Sequence, residues 1–136
     1  MKNLLLAFGM TTTLLAPVAA EAFSTPNGVR VNSVDELIFE VIPKSSGSYD
    51  EFWCGASEYA RRVKGAGWRD LIYVVQGRGT SVTTGRRSAV QFTLSPGKVG
   101  VAPPPQGWLA LGIQPGDRMS VQQARRYCDR SPVRSN

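Results

Sequence analysis

Apolar and polar positions along this chain change their period several times, and each change marks an element. Glu36–Ile42 (ELIFEVI) is rich in strand formers and stops at Pro43, which predicts the first strand after a polar lead containing Pro26-Asn27-Gly28. Lys44–Ser48 (KSSGS) is a loop. Ser48 and Glu51 then spell S-x-x-E, a capping-box pattern whose side chains satisfy free backbone donors at a helix start. Phe52, Ala56, Tyr59, Ala60 and Val63 follow at helical spacing as one apolar stripe, until Gly65-Ala66-Gly67 stops it.

Leu71–Val75 (LIYVV) is a continuous apolar run and predicts a buried central strand. Residues 77–87 (GRGTSVTTGRR) have turn formers at both ends and either extend this strand or form a loop. Ser88–Leu94 alternates, placing Val90, Phe92 and Leu94 on one side of a half-buried strand. Residues 95–107 contain Pro96, Pro103, Pro104 and Pro105, which lack ladder donors, so an extended connection is predicted. Trp108–Ile113 and Met119–Gln123 flank Gln114-Pro115-Gly116-Asp117 as a hairpin around a Pro-Gly turn. Ser120-x-x-Gln123 offers a competing helix start, so residues 119–127 read either as strand or as helix. The sum is α+β, with a single helix packed on a mainly antiparallel sheet of about four or five strands in β-α-β-β-β order.

The N-terminus changes the picture of where the chain works. Lys2 precedes an apolar run from Leu4 to Leu15, and small residues ending VAAEA follow, the pattern of a secretory signal peptide over residues 1–22. Cleavage is expected after Ala22, or after Ala20. The run is broken by Thr11, Thr12 and Thr13 and falls short of the roughly 20 apolar residues that span a bilayer. Residues 23–136 are then expected to form one domain, free in the periplasm or secreted, with no stable membrane insertion once the signal is removed.

Charge divides the chain. Residues 23–58 hold two cations against six carboxylates, whereas residues 59–136 hold thirteen against three. If the fold keeps the halves apart, one face attracts anionic partners in a salt-dependent way. Most of the bases are arginines, whose guanidinium grips phosphate or carboxylate with paired hydrogen bonds. Gly77-Arg78-Gly79 with Gly85-Arg86-Arg87 is the best candidate for such a contact, since glycines admit backbone N–H groups to an anion and Arg78, Arg86 and Arg87 add charge-assisted bonds. A hairpin with a solvated basic tip is the plainer reading of the same residues.

Absent residue types exclude much chemistry. The chain has no histidine, which removes Ser-His-Asp and Cys-His pairs and histidine general bases. With two cysteines it also lacks the ligands of a zinc site, so neither metal nor cofactor is expected. Trp53-Cys54-Gly55 resembles the start of a thioredoxin site, but Ser57 stands where the resolving cysteine belongs. Two cysteines in an oxidising compartment imply instead a Cys54–Cys128 bridge. At 100° per residue Cys54 lies about 200° from Phe52, off the apolar stripe. Tyr127-Cys128 should therefore cross the outside of the helix near its start.

Ser95-Pro96-Gly97-Lys98 spells S-x-x-K, yet Pro96 and Gly97 suit a turn, and the partner motifs of penicillin-recognising enzymes are missing. Glu58 and Asp70 offer a carboxylate pair for glycoside cleavage, although Glu58 is better placed to pair with Arg62 one helical turn on. Trp53, Trp68 and Trp108 read as core or boundary residues before they read as a ligand groove.

The run GWRDLIYVVQGRGTSVTTGRRSAVQFTL, together with FWCGASEYARR, resembles a group of small exported bacterial proteins that carry no assigned activity. The resemblance implies export and a shared fold, and it supplies no catalytic residue. The residues point to a binding protein with an Arg-rich face for an anionic envelope polymer or an acidic protein. The competing readings are a monothiol redox protein using Cys54, a small hydrolase using Glu58 and Asp70, and an accessory subunit of an envelope complex.

Overall fold

The computed structural model describes residues 9, 23–26, 28–44, 47–101 and 112–129. The expected signal peptide apart from residue 9, the proline run 103–105 and Trp108 lie outside them. The architecture is α+β: among the described residues six antiparallel strands form one sheet, and a long helix packs on it. In chain order the strands are β1 (Phe23–Ser24), β2 (Arg30–Ser33), β3 (Ile38–Ile42), β4 (Leu71–Gly79), β5 (Ala89–Thr93) and β6 (Arg118–Ser120). Their spatial order is β1-β2-β3-β5-β4-β6. The main helix α1 (Tyr49–Arg62) lies between β3 and β4 in sequence, α2 (Pro96–Val99) follows β5, and α3 (Val121–Arg125) runs into a 3-10 turn, Arg126–Cys128.

The sheet thus exceeds the four or five strands that the sequence pattern suggests, because β1 and β2 precede the first expected strand. Both are too short to carry a periodic signal, and Pro26 and Gly28 lie between two paired strands rather than in a lead, with the Gly28 N–H donating to the Thr25 carbonyl at 2.9 Å. The expected strand at Glu36 begins instead at Ile38, since Asp35 Oδ1 accepts the N–H groups of Leu37 (2.7 Å) and Ile38 (2.8 Å) and holds a turn there. Pro96–Val99, expected to be extended, makes one helical turn. Proline is tolerated at that first position because its missing N–H has no intrahelical partner there.

Alternation along the strands sorts the two faces. Val31, Val41 and Val90 stand side by side across β2, β3 and β5, and Phe39, Phe92 and Val74 across β3, β5 and β4. These residues meet Phe52, Trp53, Ala56, Tyr59 and Ala60 of α1 in the core. Gly55 lets the helix come that close, because a Cβ there would sit 2.7 Å from Val41 Cγ1. On the other face the same register sets Asn32, Glu40 and Gln91 in a polar row.

Helix α1 starts as its cap predicts, with Ser48 Oγ accepting the Glu51 N–H at 3.2 Å. It ends at the expected glycine: Gly65 takes a positive φ of 68°, which lets the Ala66 N–H reach the Ala60 carbonyl at 2.9 Å. Val63, counted in the apolar stripe, is the C-cap and is 48% exposed. Nine consecutive residues, Phe52 to Ala60, are nevertheless buried. A one-faced helix cannot achieve that, and the second cover is the C-terminal segment, with Val121 and Ala124 of α3 in the core.

Cys54 and Cys128 are joined, Sγ to Sγ at 2.09 Å, over a separation of 74 residues. Tyr127 packs edge-on to Tyr49 in the first turn of α1, with ring centroids 5.3 Å apart. The segment therefore crosses the helix where the position of Cys54 requires. Its route combines both readings of residues 119–127: β6 ends at Ser120, and the same serine caps α3 in a complete capping box with Gln123.

Burial gives the fold an alkaline limit. Desolvation pushes the phenols of Tyr49 and Tyr59 above their usual pKa of about 10, with the neighbouring Tyr127 adding to the effect at Tyr49. The folded state then holds these protons more tightly than the unfolded chain, so their stabilisation is intact below pH 10 and is lost as pH rises beyond it. Thermal melts at pH 8, 10 and 11 should show a fall in Tm confined to the last interval. Replacing Tyr49 and Tyr59 by phenylalanine should shrink that fall, and an unchanged slope would refute the assignment.

Candidate functional site

The loop joining β4 to β5 carries Arg86 and Arg87, and an unusual carboxylate fixes it. Glu40, at the centre of β3, has 0% exposure. A charge so placed must be paired or fully hydrogen-bonded, and here the loop supplies the donors. Ser81 Oγ donates to Oε1 at 2.5 Å, the Thr83 N–H to Oε1 at 3.0 Å, the Val82 N–H to Oε2 at 3.1 Å, and the Thr83 hydroxyl also donates to Oε1. Asn32, beside Glu40 in the polar row, donates from Nδ2 to Thr83 Oγ1 at 2.9 Å.

The loop closes on itself as well. Ser81 N–H donates to the Arg86 carbonyl at 2.7 Å, Gly85 N–H to the Ser81 carbonyl at 2.9 Å, and Ser81 Oγ accepts the Thr84 N–H at 3.0 Å. Register shifts along β4 between Val74 and Gly79 bend the hairpin. Ser88, just before β5, holds a positive φ of 72°, which costs a non-glycine residue energy and persists only where surrounding bonds impose it. The outcome is a rigid tip whose outer surface presents Arg86, Arg87 and Val82, the last 63% exposed.

Arg78 belongs elsewhere. Its guanidinium lies 5.0 Å from the centroid of Phe52, a core residue of α1, and so it stands on the helix side of the sheet. The loop that carries Arg86 and Arg87 is tied to the opposite face. The structure thus keeps Arg86 and Arg87 together and separates Arg78 from them.

A second basic surface forms at the other end of β4. Arg61 stacks its guanidinium 3.7 Å from the Trp68 ring centroid, and Trp68 is 46% exposed. The turn carrying Trp68 is anchored to α3, since the Gln122 N–H donates to the Trp68 carbonyl (3.0 Å) and the Val121 N–H to the Asp70 carbonyl (2.9 Å). Buried Glu58 pairs with Arg62 Nε at 2.8 Å and with Arg125 Nε at 2.9 Å, and Arg125 Nη1 also reaches Asp129 at 3.3 Å. Arg69 and Arg126 are exposed nearby in sequence on the same two segments. Nothing in the linear chain joins residues 61–69 to 125–126; their adjacency comes from α3 docking on α1.

No protein-family model, curated protein or solved structure matches the chain.

The groups of the enzymatic readings are engaged in other work. Cys54 is bonded to Cys128, so the thiol that a monothiol mechanism needs is taken up in the disulfide. Glu58 is held by two arginines, with Arg62 the partner that helical spacing predicts. Asp70 accepts the Gly67 N–H at 2.7 Å and is not among the residues lining the cavity of about 190 Å³ beside Glu58 and the disulfide. Ser95 and Lys98 bracket the α2 turn through the backbone, Lys98 N–H to the Ser95 carbonyl at 3.1 Å.

At two points the acidic and basic halves of the sequence interlock: Glu40 is buried under the Arg86–Arg87 loop, and Glu58 lies between Arg62 and Arg125.

Proposed function

We propose that this protein is an exported binding protein that engages an anionic partner, an envelope polyanion or an acidic protein, through the tip that carries Arg86 and Arg87. The observation behind this reading is the buried Glu40 carboxylate, four of whose hydrogen bonds go to Ser81, Val82 and Thr83. Burying a charge to order an exposed turn adds little to the core. It does remove the entropy that a mobile loop would lose on binding, which strengthens association without any added contact. Val82, pinned through its N–H but with its side chain exposed, gives the tip an apolar contact as well, which favours a protein surface over a uniform polysaccharide.

The N-terminal pattern of residues 1–22 supports export, and the disulfide suits an oxidising compartment. Among the described residues no helix is long and apolar enough to cross a membrane.

Retention on an anionic resin tests the reading. The wild-type protein should elute at a salt concentration that falls clearly for Arg86→Gln/Arg87→Gln and less for Arg78→Gln, with unchanged circular dichroism in both. Equal retention of all three proteins would remove the tip from the contact surface.

A further inference from the structure

The Trp68 surface is chemically different from the Arg86–Arg87 tip, and it points to a particular class of anion. We propose that it binds single-stranded nucleic acid, one base stacking on the Trp68 indole while the surrounding arginines hold phosphates. The inference rests on the reading above in requiring an anionic partner, and it assigns that partner to a separate surface.

The argument starts from exposure. A tryptophan 46% exposed on a short turn is an outlier for so large an apolar ring, and this one is positioned with care. Its carbonyl is bonded to α3 and its ring is stacked by Arg61 at 3.7 Å. An indole held in this way is a flat platform, and base-on-aromatic stacking is indifferent to sequence because every base has a π face. An arginine against the ring adds cation–π attraction and a donor fork beside the stacked base.

The two segments that meet through the Trp68 turn and α3 are rich in cations. Arg61, Arg62, Lys64, Arg69, Arg125 and Arg126 face Glu58, Asp70 and Asp129 on the two segments, six cations against three carboxylates. Lys64 Nζ is spent on the Glu36 carbonyl at 3.1 Å. Arg62 meets Glu58 through Nε, and Arg125 meets Glu58 through Nε and Asp129 through Nη1. A guanidinium has five N–H donors, so each retains donors for phosphate. Glu58, itself buried, fixes the two guanidinium groups relative to each other. A sulfated polysaccharide would use the charges and leave the indole idle, and a duplex would hide its base faces. A single strand uses both features.

Fluorescence anisotropy of a labelled oligo-thymidine, read alongside heparin retention, decides the matter. Wild-type protein should bind the oligonucleotide in a salt-dependent way and more tightly than a duplex of equal charge. Trp68→Ala should weaken oligonucleotide binding about tenfold or more while leaving heparin retention unchanged, and Trp68→Phe should restore most of the loss. Arg69→Gln/Arg126→Gln should lower the salt slope. Parallel loss of heparin and oligonucleotide binding in Trp68→Ala, or a preference for duplex, would overturn the inference and leave an anion-binding protein standing. Absence of any polyanion binding by the wild type would overturn both readings. Trp68→Phe keeps a ring at the site, so a folding defect confined to Trp68→Ala would show as loss of its circular dichroism with Trp68→Phe still testing the platform.

Discussion

Reducing the Cys54–Cys128 bond, or replacing it by Cys54→Ser with Cys128→Ser, is expected to lower the unfolding free energy by about 4 kcal/mol. The bond closes a loop of 74 residues, and in the chain-entropy account a link of that span removes much of the freedom of the unfolded chain. Four kcal/mol is a large share of the roughly 5–15 kcal/mol typical of a domain. The native consequence should be local. α3 keeps its anchors, since the Val121 and Gln122 N–H groups stay bonded to the carbonyls of Asp70 and Trp68, and Val121 and Ala124 remain in the core. What loosens is the turn beyond it, where Tyr127 covers Tyr49. Urea titrations with and without reductant measure the effect. A shift below about 1 kcal/mol would mean that the packing of α3 on α1 suffices without the staple.

Glu40→Ala is expected to cost about 3 kcal/mol and to free the Arg86–Arg87 tip. The carboxylate takes four hydrogen bonds, and bonds to a charged group contribute about 1.5–3 kcal/mol each when they do not couple. They do couple, and water can reach the exposed Thr83 once the carboxylate is gone, so the total stays well below the sum. A loss of this size lowers Tm by on the order of 10 °C in a domain of about 100 residues. Hydrogen exchange separates the local from the global effect: the Val82 and Thr83 amides should lose protection, while Phe92 in β5 keeps it at the native pH. Glu40→Gln should fall between, because its amide nitrogen faces a donor where the carboxylate accepted one. If Val82 and Thr83 stay protected in Glu40→Ala, the tip is held by its own internal bonds and the preorganisation argument fails. Retention of Glu40→Ala on the anionic resin links the two levels, since a loosened tip with its arginines intact should elute earlier.

How much of this was legible beforehand differs between elements. The caps were local chemistry and could be read directly: Ser48 and Ser120 each accept the N–H three residues on, and Gly65 ends α1 in the left-handed region. Of the core strands, β5 announced itself by period, and Val90 and Phe92 are buried as their alternation requires; β3 and β4 were read from strand formers and an unbroken apolar run. The short strands Phe23–Ser24 and Arg30–Ser33 were invisible, because two to four residues carry no period; β1 is held by its pairing with β2, and β2 in turn by its pairing with β3. Arg78, Arg86 and Arg87 were found as one candidate set from their Gly-Arg clusters, and that Arg78 reaches over Phe52 of α1 was not legible, since strand alternation and the bulges of β4 decide which face each residue takes.

The sequence by itself determined what depends on near neighbours: α+β class, the start and end of the main helix, the cysteine pair, the excess of arginine and the lack of any histidine chemistry. Only the tertiary structure decided what depends on contacts between distant segments. Nothing within Glu36–Ile42 marks Glu40 as a buried acceptor; the loop 41 to 43 residues later, folding over it, makes it one. Trp68 reads as a core or boundary residue until the fold sets it exposed against Arg61 and α3 brings Arg125 to Glu58 across more than sixty residues of chain. The physical reason is the same in both cases. A buried carboxylate is stable only with its donors in place, and those donors come from wherever the fold, rather than the order of residues, puts them.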